Sequence, residues 1–197
     1  MTTSTQAMTT STPITGDLAA GGQVDASTVD GERADLLTTL AKQRHFLRFT
    51  SLGLTDEQAG QRTTVSELCL GGLIKHVTAM EQGWVNFILE GPSAMKDFAA
   101  MTEDDYAQRA DQFRLMPGET LAAVLADYAE VAHRTDELVA SLPSLNAEHP
   151  LPNAPWFQSG ESWSARRVLL HIIAETAQHA GHADIIRESL DGAKSMG

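Results

Sequence analysis

Val168-Leu169-Leu170-His171-Ile172-Ile173-Ala174-Glu175-Thr176-Ala177-Gln178-His179-Ala180-Gly181-His182-Ala183-Asp184-Ile185-Ile186 is the stretch on which the reading of this chain turns. At about 100° per residue of an α-helix, Glu175 and His179 are neighbours one turn apart. Val168, Ile172, Ile186 and the following Leu190 project within about 40° of their mean direction. Polar side chains therefore interrupt an apolar stripe that should face a core. An ionised carboxylate buried there without a partner costs several kcal/mol. A cation offsets that cost and recruits neutral imidazole to the same place. A buried Glu175–His179 ion pair is the alternative reading of the same two residues.

Working outward, this last helix is expected to start near Ser162 or Ser164 and to run to Leu190, with Gly192 as its stop. Leu36, Leu37, Leu40 and Leu47 give an earlier helical stripe between Glu32 and Gly53. Thr64-Val65-Ser66-Glu67 has the spacing of a capping box and is expected to open the next helix. Leu73, Val77, Met80, Trp84, Phe87 and Ile88 share one face of that helix, and Gly91-Pro92 stops it. A short helix is expected near Asp104–Phe113. A third long one carries Leu121, Val124, Leu125, Tyr128, Ala132 and Val139 and ends before Pro143. Pro143 to Gly160 reads as a loop, with no hairpin signature and no internal repeat in the chain. Four long helices with substantial connections predict an all-α protein, a four-helix bundle, whose interior suits side-chain metal sites.

The chain has 197 residues, enough for one sizeable core and short for two. Its net charge of −12 argues against an electrostatic grip on nucleic acid or anionic lipid. Cys69 is the only cysteine, which excludes an internal disulfide and any CxxC motif. No apolar run is long enough to span a membrane. Residues 1–30 are rich in Thr, Ser, Gly and Ala and read as a disordered tail, leaving 31–197 as the domain. Met1 and Met8 both lie in that tail, which lacks the marks of a secretory signal, so a cytoplasmic protein is expected.

His76 lies between Leu73, Val77 and Met80 on the apolar face of its helix. With Glu175 and His179 it would complete a His₂Glu metal site, which leaves positions open as catalytic zinc sites do. The same donors suit non-haem Fe(II). The competing reading makes His76 a hydrogen-bonded core residue. His171 and His182 are about 16 Å apart along the helix, too far to share one ion. His182, one turn beyond His179, is the better candidate for a fourth ligand or for a base that moves protons. His45, His133 and His149 fall outside the pattern and read as surface or loop residues. Arg187 is a candidate for binding a substrate carboxylate, with a structural ion pair as its alternative. Cys69 reads as buried packing, with a nucleophilic role as the rival. Trp84 and Trp163 read as core or pocket walls. Trp156, in the Pro-rich loop, is the pocket candidate for an aromatic or thiol ligand.

Leu73-Ile74-Lys75-His76-Val77, followed by Glu81 and Trp84, resembles the DinB/YfiT-like superfamily of metalloenzymes, in its actinobacterial DUF664-type branch. So does the closing block from Trp163 through His171, Glu175, His179, Gly181-His182-Ala183-Asp184, Arg187-Glu188 and Asp191-Gly192. The resemblance covers most of residues 32–192. It implies a four-helix bundle, a homodimer, and a divalent metal held by His76, Glu175 and His179, zinc foremost with nickel or iron as alternatives. The commoner pattern has His where this chain has Glu175, and Glu-x-x-x-His resembles the mycothiol-dependent maleylpyruvate isomerases. The superfamily includes thiol S-transferases, so the implied function is a metal-dependent S-transferase or isomerase with mycothiol as cosubstrate. A metal-dependent hydrolase and a non-catalytic metal-binding or dimerisation bundle are the alternatives.

Overall fold

Asp30 accepts a hydrogen bond from the Arg33 N–H and so caps α1, Gly31–Phe49. In this computed structural model, residues 30–195 are described, so the expected tail lies outside the described residues except for Asp30. A short α2, Asp56–Gly60, follows behind a Thr55–Gln58 capping box. Then come α3, Leu70–Glu90, and α4, Glu103–Asp111, the latter opened by a Thr102–Asp105 capping box. Thr120 caps α5, Leu121–Ser141, and Ser164 caps α6, Ala165–Asp191. Gly192 ends α6 with φ 79°, the left-handed conformation expected of a C-terminal glycine. The described residues are thus mostly helical, and no helix among them is long and apolar enough to cross a membrane.

Two expectations are corrected. The Thr64–Glu67 segment does not open a helix. Its hydroxyls serve backbone donors two residues on, Thr64 Oγ1 accepting from the Ser66 N–H and Ser66 Oγ from the Leu68 N–H. Those local bonds compete with helix formation, so α3 starts later, at Leu70. The Pro-rich stretch is also not wholly loop. β1, Glu148–Pro150, pairs antiparallel with β2, Ser162–Ser164, His149 lying opposite Trp163. The strands are three residues each and joined by a long excursion, so neither alternation nor a tight turn announces them.

α6 packs against α1 and α3, and α5 packs against α3 and α1. Their apolar faces form two clusters, one around Leu47, Leu73, Val77, Tyr128 and Ile186, the other around Leu40, Trp84, Val139, Val168 and Ile172. Along α1 and α6 the second cluster comes first, whereas α3 and α5 run from the first cluster to the second. The neighbours α1 and α6 therefore run in parallel, as do α3 and α5. Parallel neighbours cannot be joined by a tight turn, which accounts for the long connection between α3 and α5.

Between the clusters lies a polar layer to which each long helix contributes: Arg44, Glu81, Thr135 and Thr176, all buried. Arg44 grips Glu81 through Nε, 3.2 Å from Oε2, and through Nη2 on Oε1. Its Nη1 donates to Asp136 Oδ1 at 2.8 Å, and the Thr135 hydroxyl lies 2.6 Å from Glu81 Oε1. The buried charges are thus paired and hydrogen-bonded, the condition under which such a group is tolerated.

Candidate metal centre

His76 reaches inward from α3, and Glu175 and His179 from the middle of α6. The three half-buried side chains each offer one ligand atom, and these atoms all lie within 4.8 Å of one another. Glu175 Oε2 is 3.8 Å from His179 Nε2. The rings of His76 and His179 meet edge to face, with centroids 4.9 Å apart. His76 Nδ1 is buried without a hydrogen-bond partner.

Electrostatics favour the neutral imidazoles that a cation needs. Burial, and next the neighbouring His179, push His76 down from 6.5 to about 4, against a smaller upward pull from Gln112. Burial also lowers His179, with Glu175 working in the opposite direction. Both shifts favour the free-base rings. Two neutral imidazoles, a carboxylate and an orphaned buried nitrogen in one place fit a divalent cation.

Phe113 lies against the open face of His76, ring centroids 4.0 Å apart. It gets there because Gly71 and Gly72, in the first turn of α3, let the chain after α4 come close. A Cβ on Gly72 would lie 2.0 Å from the Phe113 carbonyl oxygen, and one on Gly71 would lie 2.6 Å from the Leu115 side chain. Cys69, buried beside them, has its Sγ 3.7 Å from the same carbonyl, so it packs and carries no nucleophile's surroundings.

The mycothiol-S-transferase family model matches residues 35–192. The chain belongs to this family. Its kind is DinB/YfiT-like. No curated protein matches the sequence.

The match runs from within α1 to the end of α6 and so spans every residue of the candidate site. His182 stands beside that site, its Nδ1 3.4 Å from Nδ1 of His179. His171, at the other end of the strip, turns away to Trp84 and Trp163, which it meets edge to face at 4.9 and 5.2 Å. Arg187 is not brought to the site. It is two turns further along α6, and its donors are used by the Thr50 and Leu52 carbonyls, both at 2.8 Å, and by Asp191. That arrangement ties α6 to the end of α1. His45 and His133 are at the surface, whereas His149 is half-buried in β1, with Nε2 3.3 Å from the Ile88 carbonyl. Gly91 makes room for it, since a Cβ there would lie 2.7 Å from His149 Nδ1.

A cavity of about 750 Å³ opens from His76 in this family member. Trp84 and Met80 of α3 form one part of its wall, and Arg109 and Gln112 of the α4 segment another. The segment 152–157 supplies Trp156 and Phe157. Trp156 is 59% exposed and meets Phe98 and Phe157 edge to face, so it stands at the rim. Sequence reasoning missed Phe113, Gln112 and Arg109. The available signal was the Gly71-Gly72 pair, since glycine in a helix can mark a close packing approach.

Proposed function

We propose that the chain is a divalent-metal-dependent S-transferase that uses mycothiol, with zinc as the expected ion. One observation carries the reading: His76, from one helix, and Glu175 and His179, from another, converge within 4.8 Å at the edge of an open cavity. The family match supports the choice of thiol. In this reading His76, Glu175 and His179 hold the ion. When bound, a divalent cation supplies the positive charge that favours thiolate over thiol.

The chain's own residues do the rest. Phe113 keeps water from one face of His76, and His182 both orients the His179 ring and receives the thiol proton. The cavity, with Trp156 at its rim, holds the reactants near the sulfur. Transfer forms a bond from sulfur to an electrophilic carbon while the leaving group departs with its electron pair. The proton released from the thiol balances the charge. The four long helices then form the bundle that carries the site, in a cytoplasmic homodimer.

Elemental analysis of purified wild type beside His76→Ala and His179→Ala tests the site. Near-stoichiometric metal in the wild type, lost in both variants, is the expected result. A wild type that stays empty after reconstitution with zinc, nickel and iron overturns it. A chromogenic electrophile is then turned over only when a low-molecular-weight thiol is added. Turnover without thiol would point to hydrolysis instead.

A further inference from the structure

The cavity beside His76 is not uniformly apolar. Two cations line it, Lys96 and Arg109, and they are in different states. Lys96 is already neutralised, its Nζ lying 2.6 Å from Asp105 Oδ2, an oxygen that also accepts from Thr102. Arg109 forms no ion pair among the described residues, its nearest polar contact being Nη1 at 3.5 Å from the Met101 sulfur. It stands exposed on α4, at the wall of the cavity, in a chain whose net charge is −12.

The other part of the wall is aromatic. Trp156 meets both Phe98 and Phe157 edge to face, and all three line the cavity. Flat apolar groups pack well on such surfaces. A guanidinium offers a forked pair of donors that suits a carboxylate or sulfonate.

We infer that Arg109 sets the choice of the second substrate, by binding an anionic group on a planar apolar acceptor whose rings pack against Trp156, Phe98 and Phe157. The role of that acceptor in transfer rests on the function proposed above. Its binding requires neither metal nor thiol, so the two fail separately.

Isothermal titration calorimetry of the full chain, treated with EDTA and free of thiol, tests the inference at low ionic strength. The probes are 2-naphthoate and its uncharged counterpart 2-naphthamide. The wild type should bind the carboxylate about tenfold more tightly than the amide. Arg109→Gln should bind both alike, and Arg109→Lys should keep part of the preference. Trp156→Ala should weaken both probes while leaving their ratio unchanged. Failure of the carboxylate to bind, equal affinity in the wild type, or a preference that persists in Arg109→Gln would overturn the inference. A protein that shows the Arg109-dependent preference but transfers no thiol to a neutral acceptor would leave it standing and overturn the proposed function.

Discussion

His76 and Phe113 lie ring against ring, with centroids 4.0 Å apart and planes 24° from parallel, although they come from α3 and from the segment that follows α4. The contact fixes the one imidazole of the candidate site that α6 does not supply. It depends on the missing side chain of Gly72, against which the Phe113 backbone is pressed.

Gly72→Ala should therefore act on the site without touching it. The added Cβ would lie 2.0 Å from the Phe113 oxygen, so the segment must retreat and take its ring from His76. A loss of about 1–3 kcal/mol in urea unfolding is expected, as for overpacking elsewhere, together with at least a severalfold weaker affinity for zinc. Gly181→Ala is the control. A Cβ there meets nothing within 4 Å, and its effect should be neutral or stabilising by up to about 1 kcal/mol.

Because the three side chains come from two helices, an ion bound by them joins α3 to α6. Zinc at about a hundred times its dissociation constant should stabilise the native state by about 2.7 kcal/mol. Differential scanning calorimetry should record this as a rise in Tm for wild type. No rise is expected for His76→Ala or for Glu175→Gln.

Without metal, stability should depend on pH in a defined sense. The native His76 is held near 4 by burial, below its ordinary 6.5. Between those values the unfolded chain binds a proton that the native chain does not, so stability falls as pH falls from about 6.5 toward 4. Burial of His179 and His171 acts in the same direction. Urea midpoints of EDTA-treated protein should decline through this window. The decline should be shallower in His76→Gln.

The Arg44–Glu81 pair sits where all four long helices meet, with Glu81 fully buried. Glu81→Ala leaves Arg44 with only Asp136 for company and should cost about 3–5 kcal/mol. The double variant Arg44→Met/Glu81→Leu should recover most of that loss, because two apolar side chains of similar volume need no partner. Chemical denaturation of the three proteins decides the point.

The long helices were legible because each carries an apolar stripe and a stop signal, as Gly91 and Gly192 illustrate. The convergence of His76 on Glu175 and His179 could be anticipated because all three interrupt such stripes. The start of α3 was not legible, since Thr64 and Ser66 have the chemistry of a cap and use it on non-helical turns. The β1–β2 ladder was hidden by its brevity. The second wall of the cavity was hidden for another reason: nothing local tells Phe113 or Arg109 which helix they will face. Arg187 shows the limit from the opposite side. Its ion pair with Asp191, one turn on, agrees with the structural alternative, whereas the Thr50 and Leu52 carbonyls that take its other donors are far away in sequence.

The long rods α3 and α6 carry His76, Glu175 and His179, whereas Arg109, Phe98 and Trp156 stand on short segments outside those rods. The two sets should therefore differ in mutational tolerance: replacing residues of the short segments should alter what the cavity admits, whereas replacements in the rods, interlocked through the Arg44 layer, should disturb the fold as well.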